Sequence, residues 1–186
     1  MQFSETNLPG VTVIDLQRFD DERGSFARSF CVDEMAAAGL PFNIDQANIS
    51  VNNRAGTVRG MHIQLAPSPE AKIVRCTRGM MYDIALDLRP DSAAYCQWVG
   101  VELSAENGKA LYIPPGCAHG FQSLVDETEV HYLMDGKYDP DAATGVGHND
   151  PVFGIEWPMP IESISDKDLS WPAFDRDAGF AKGAQS

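Results

Sequence analysis

The stretch Arg59-Gly60-Met61-His62-Ile63-Gln64, with Lys72 soon after it, concentrates the side chains of this sequence that can move protons or hold charge. An imidazole carried by a strand into an apolar interior works as a general base when desolvation and a carboxylate partner tune it. A core-edge histidine satisfied by hydrogen bonds is the commoner reading of His62 taken alone, and a solvated guanidinium explains Arg59 equally well. Alternation along a strand places Arg59 and His62 on opposite faces. A pocket shared by both therefore requires a bulge, which Gly60 permits. A second run ends in Pro114-Pro115-Gly116-Cys117-Ala118-His119. Its Pro-Pro-Gly makes a rigid turn that delivers His119 at the start of the next strand. Tyr132 and Asp168 extend the polar set, although a strand tyrosine commonly serves amphipathic packing and an aspartate near a C-terminal segment is commonly solvated.

The elements that must position these groups are short. The sequence has 16 Gly and 12 Pro, which cut it into β-type runs at 11–16, 25–31, 44–51, 57–65, 72–77, 81–88, 98–103, 110–113, 120–124 and 129–134. Period-2 alternation marks several as half-buried antiparallel strands. The clearest is 81–88, with Tyr82, Ile84, Leu86 and Leu88 on one face and Asp83 and Asp87 on the other. One early helix is expected over 34–38, N-capped by Asp33 and stopped by Gly39 and Pro41. Many short strands with few helices imply an all-β sandwich or barrel. A chain of 186 residues supports one good core, so residues 1–186 are read as a single domain whose tail, from about residue 171, packs loosely.

The formal charge is −13, from 27 Asp plus Glu against 14 Lys plus Arg. That balance opposes binding to nucleic acid or to an anionic membrane, both of which need clustered cations. Without a long apolar run or a signal-like N-terminus, and with Cys31, Cys76, Cys96 and Cys117 scattered, the expectation is a cytoplasmic protein with reduced, mostly buried thiols.

The run from Gly108 to His119 resembles the second signature of the cupin superfamily, and Gly56 to His62 the start of the first. Where metal-binding cupins carry a second histidine, this chain has Gln64, a poor ligand beside imidazole, and Lys72 nearby opposes a divalent cation. No metal is expected. Over about Pro9 to Asp168 the chain resembles the dTDP-4-dehydrorhamnose 3,5-epimerases and their relatives acting on nucleotide 4-keto-6-deoxy sugars, and the resemblance implies that no cofactor is required. The ordered landmarks are Asp21–Phe26, Gln46–Ser50, Val58–His62, Lys72–Cys76, Asp83–Arg89, Trp98–Asn107, Ile113–Phe121 and Ile155–Pro158.

The resemblance implies a cupin-type jelly roll or β-barrel and an isomerase working by enolisation. It assigns His62 as general base, Asp168 as the carboxylate orienting it, Tyr132 as the acid on the opposite face and Lys72 as the cation at the enolate oxygen. It further implies substrate binding by Arg23, Gln46, Asn48, Arg59, His119, Tyr138 and Lys167, and a homodimer to which the N-terminal strands contribute. The chain departs from the family pattern at Arg28, where an acid is usual, at Ala143, where a substrate-binding glutamate is common, at His148 in place of tryptophan, and at Lys137 in place of tyrosine. These departures bear on nucleotide and sugar specificity more than on the reaction. Two alternatives remain: a metal-dependent cupin oxygenase built on His62, Glu70 and His119, and a non-catalytic sugar-nucleotide binder.

Overall fold

A computed structural model describes residues 1–180. Its strands are β1 (Gln2–Glu5), β2 (Thr12–Asp15), β3 (Arg18–Asp21), β4 (Gly24–Ala27), β5 (Gln46–Asn52), β6 (Val58–Gln64), β7 (Ala71–Arg78), β8 (Met80–Asp87), β9 (Trp98–Ser104), β10 (Ala110–Ile113), β11 (Cys117–Ser123), β12 (Thr128–Asp135) and β13 (Ala143–Gly145). Two short helices accompany them, α1 (Val32–Ala37) and α2 (Asp166–Leu169). The strands form a six-stranded sheet ordered β1-β2-β10-β7-β12-β5 and a five-stranded sheet ordered β13-β6-β11-β8-β9, with β3 and β4 as a separate hairpin. All the pairings within these sheets are antiparallel.

The expected all-β sandwich is thus present, and its core explains why the strands alternate. Val74, Cys76, Leu111, Ile113 and Val130 from the six-stranded sheet meet Met81, Ala85, Leu103, Cys117 and Phe121 from the five-stranded sheet. The outer faces are covered as well. Met35 of α1 and Phe42 pack on Ile14, Ile73 and Tyr112. Val146, Phe153 and Phe174 pack on Met61, Ile84 and Leu86. The expectation of a half-buried 81–88 strand is corrected here: Asp83 and Asp87 are 0% exposed. The face that reads as solvent-facing turns inward, and the Tyr82 face is roofed by later chain segments.

Other boundaries differ in explicable ways. The helix begins at Val32 with Cys31 at its N-cap, and Asp33 lies in the first turn, where a carboxylate favours the helix dipole without bonding the cap. β1, β3, β13 and α2 are too short to carry a periodic signal. In the tail, Phe174 is buried with its ring centroid 5.0 Å from that of Phe153, while most of its neighbours are exposed; the end of the tail expected to pack loosely, residues 181–186, lies outside the described residues. Cys76, Cys96 and Cys117 are buried free thiols, as expected. Burial pushes Cys76 up to about 11 and Cys117 up to about 12, so neither is a nucleophile at neutral pH. Among the described residues no helix is long and apolar enough to cross a membrane.

Candidate active site

A cavity of about 330 Å³ opens between the two sheets. From β6 it receives Arg59, His62 and Gln64, from β11 His119 and Phe121, from β5 Asn48 and Ser50, and from β12 Tyr132 and Met134. Arg59 and His62 share it because β6 bulges. His62 pairs with His119 and Arg59 with Phe121, so β6 holds two residues where β11 holds only Gly120. Gly60 has φ +130°, and a Cβ there would lie 2.5 Å from Gly120 Cα and 2.9 Å from the His119 carbonyl oxygen. Both glycines are therefore required by the close approach of the two strands.

His62 Nε2 lies 2.6 Å from Asp168 Oδ1. Asp168 arrives from α2, where Ser165 caps the helix by accepting a hydrogen bond from the Asp168 amide at 3.1 Å. The other carboxylate oxygen accepts a hydrogen bond from the Gly60 amide at 3.2 Å. Burial alone would raise the Asp168 carboxyl. The hydrogen bond and charge of His62, with hydrogen bonds from Gly60 and Ser165, outweigh burial and hold it below the usual carboxylate value. With an ionised carboxylate on Nε2, that nitrogen carries the proton and Nδ1 is left as the basic atom.

Tyr132 faces His62 from the opposite sheet. Burial raises its phenol most, the Asp83 charge adds to this, and Ser50 and Arg59 work against it. A group with so high an affinity for its proton stays protonated at neutral pH and can act as an acid. The His119 ring stands edge-on to Tyr132 at 5.9 Å, with its Nε2 2.7 Å from Asp83 Oδ1. Asp83 is raised by burial, and His119 offsets this only in part. The site thus holds a second histidine–carboxylate pair, whose Asp83 lies on the strand face that alternation assigns to solvent. Lys72 reaches the cavity with its Nζ 2.8 Å from Glu70 Oε1, both side chains more than nine-tenths buried. Lys167, Tyr138, Ala143 and Thr144 complete the mouth.

His62, Lys72, Tyr132, Asn48, Arg59, His119, Tyr138 and Lys167 therefore converge on one cavity, and Asp168 stands behind His62. Two expected residues do not line it. The Gln46 amide donates to the Gly136 carbonyl at 2.8 Å. Arg23 sits at the tip of the β3–β4 hairpin with its side chain 84% exposed, paired with Asp21. Glu70, which entered only as a ligand of the metal-dependent alternative, lines the cavity as the partner of Lys72. Ser50 was missed as a site residue; only its spacing of two from Asn48 along a strand could have pointed to it.

Gln64 has a structural explanation. Its amide donates to the Ser68 and Lys137 carbonyls at 3.1 and 3.2 Å and accepts from the Asp139 amide at 2.7 Å, stitching two loops together. Both histidines commit Nε2 to a carboxylate, and among the described residues no three His, Cys, Asp or Glu side chains are arranged to hold a metal ion. This donor set does not suit a metal-dependent cupin. Of the departures, Ala143 contributes only a methyl group to the wall, His148 is buried and its carbonyl accepts from Trp157 Nε1 at 2.9 Å, and Arg28 pairs with Glu34 at 2.7 Å, outside the cavity lining.

Known proteins resemble this chain across nearly its whole length. The family model described as dTDP-4-dehydrorhamnose 3,5-epimerase matches residues 5–176. The dTDP-4-dehydrorhamnose 3,5-epimerase of Sinorhizobium fredii is 38% identical over 174 residues, covering 93% of this chain and 89% of its own. A dTDP-4-dehydrorhamnose 3-epimerase of Streptomyces niveus is 39% identical, covering 97% of this chain and 88% of its own. A crystal structure of the Bacillus anthracis 3,5-epimerase with TDP and pyrophosphate bound superposes with a TM-score of 0.90 at 37% identity, over 93% of this chain and 99% of that one. The cupin-like sandwich, the match across nearly the whole chain and relatives at this identity give one conclusion: the chain belongs to the dTDP-4-dehydrorhamnose 3,5-epimerase family, isomerases that epimerise nucleotide-linked keto-deoxysugars.

Proposed function

We propose that this protein epimerises a nucleotide-linked 4-keto-6-deoxyhexose of the dTDP-4-dehydrorhamnose type in the cytoplasm, at C3 alone or at C3 and C5, without a cofactor. The observation that carries the reading is the placement of the His62–Asp168 pair and Tyr132 on opposite walls of one cavity. A 4-keto group acidifies the neighbouring C–H bonds. His62 Nδ1 takes the proton, and Asp168 stabilises the resulting imidazolium. Charge moves to the ketone oxygen, where Lys72 offers a fixed cation in a site with little water. Tyr132 returns a proton to the other face, which inverts the carbon, and solvent resets the two groups. Arg59, His119 and Lys167 receive the diphosphate and sugar, the guanidinium being suited to bidentate contact with phosphate. Asn48 supplies a polar contact to the sugar nucleotide, and Tyr138, 59% exposed at the mouth, offers a face to the base.

The test is proton exchange in D2O followed by NMR across dTDP-, UDP-, GDP- and CDP-linked 4-keto-6-deoxy sugars. Deuterium is expected at C3, with or without C5, and the rate is expected to be insensitive to chelators. No incorporation into any of the four would overturn the reading, and binding without incorporation would make the protein a sugar-nucleotide sensor.

The assembly proposed is a homodimer. Phe19 and Phe26 on the β3–β4 hairpin are 61% and 72% exposed, and Ile49 and Val51 on the edge strand β5 are 65% and 45% exposed. An exposed apolar hairpin and an open sheet edge each suit a second copy of the chain. In that arrangement Arg23 and Gln46 would serve at the interface or in the partner's cavity rather than in their own. Sedimentation is expected to return twice the 20.3 kDa chain mass, and a monomer at micromolar concentration would refute it.

A further inference from the structure

Ser50 stands at the cavity wall with its Oγ closed to solvent and without a hydrogen bond of ordinary geometry. Orphaned hydroxyls are uncommon in folded chains and call for a reason. The register supplies the context. On β5 and β12, Asn48 lies opposite Tyr132 and Ser50 opposite Val130. Asn48, Ser50 and Tyr132 therefore line the same side of the strand pair and the same cavity, and the Ser50 hydroxyl works against the burial that raises the Tyr132 phenol. We propose that Ser50 is a positioning residue for Tyr132, its hydroxyl turning to donate to the phenol oxygen as that oxygen gives up its proton to the sugar. The proposal rests on the reading of Tyr132 as the proton donor given above.

The physical argument concerns the moment after proton transfer. A phenolate then sits in a wall where burial and the Asp83 carboxylate both oppose negative charge, and where Arg59 is the favourable cation acting on it. A hydrogen bond to an ionised oxygen is roughly twice as strong as one between neutral groups. Because Ser50 Oγ has no competing partner in the resting site, it can rotate to donate without breaking an existing bond. The His119 and Tyr132 rings pack at a steep angle with centroids 5.9 Å apart, which restricts the Tyr132 ring.

The consequence separates two steps that a general loss of structure would not separate. Deprotonation uses His62 on the five-stranded sheet, whereas inversion uses Tyr132, which lies on the strand paired with that of Ser50 in the six-stranded sheet. In Ser50→Ala, deuterium wash-in with retention is expected to stay within about threefold of the native rate, while inversion falls about ten- to a hundredfold. KM is expected to be unchanged. Ser50→Thr, which keeps the hydroxyl on a strand-compatible side chain, is expected to restore the native ratio of inversion to exchange. In a Tyr132→Phe background, adding Ser50→Ala is expected to change inversion by less than about twofold, since the group it serves is gone. Exchange and inversion falling together, or full additivity with Tyr132→Phe, would overturn the role of Ser50 alone. Absence of exchange in the native protein would overturn the Tyr132 reading and this role with it.

Discussion

Asp168→Asn is expected to lower the rate of deuterium exchange by roughly 10²–10⁴-fold, the range for removing one proton-transfer group, while leaving fold and substrate affinity close to native. The geometry makes the amide's orientation predictable. Asp168 Oδ2 accepts from the Gly60 amide, so the asparagine oxygen will occupy that place and its NH2 will face His62 Nε2. The NH2 donates where the carboxylate accepted. Nε2 must then become an acceptor, and the single imidazole proton moves to Nδ1, the atom required as base. Asp168 does not line the cavity, so KM should be nearly unchanged and the loss should fall on kcat. His62→Ala removes the base itself and should be at least as slow. The discriminating result is an Asp168→Asn protein that melts within a few degrees of native yet exchanges at native speed; that outcome would remove Asp168 from the mechanism.

The second large effect is structural. Gly60→Ala places a methyl group 2.5 Å from Gly120 Cα and 2.9 Å from the His119 carbonyl, against backbone that cannot rotate away, at a φ of +130° that L side chains rarely adopt. Backbone strain and overpacking together are expected to cost about 4 kcal/mol, or roughly 8–16 °C in Tm. Thermal unfolding by circular dichroism measures it. Because the clash lies at the His62–His119 rung, any folded fraction should also have its two histidines displaced and its exchange impaired. Gly24→Ala is the control: φ there is also positive, at +128°, but nothing lies within 4 Å of the added methyl. A Gly60→Ala protein as stable as this control would show that the bulge relaxes freely.

Sequence legibility followed the length and regularity of each signal. His62, Lys72, Tyr132 and His119 were legible because landmarks in fixed order surround them, and Gly60 because two side chains of one strand had to share a pocket. Asp83 was not. Alternation reports that a strand has two different faces, but not which of them is wet. Here the apolar face of β8 is roofed by Phe153 and Phe174, and the acidic face looks into the sandwich. Ser50 was hidden for a related reason, since a serine on an exposed edge strand is unremarkable until its neighbour is known. Arg23 shows a third limit: a position along the chain says what a residue does in a family, while its place in space here is an exposed hairpin tip. A net −13 excludes extended polyanions, yet Arg59, Lys72, His119 and Lys167 gather at one cavity with Glu70 the carboxylate among its lining residues.

The partners in the His62–Asp168 contact are 106 residues apart along the chain, and this orders events during synthesis. At roughly 5–20 residues per second, about 5–20 s pass between the appearance of the base and that of the carboxylate that selects its tautomer. By the end of that interval all the strands have been made, and only α2 is still to dock. Under the proposed mechanism a chain released at that stage lacks both the carboxylate that orients His62 and the Lys167 of the cavity lining, and is expected to exchange slowly until α2 docks.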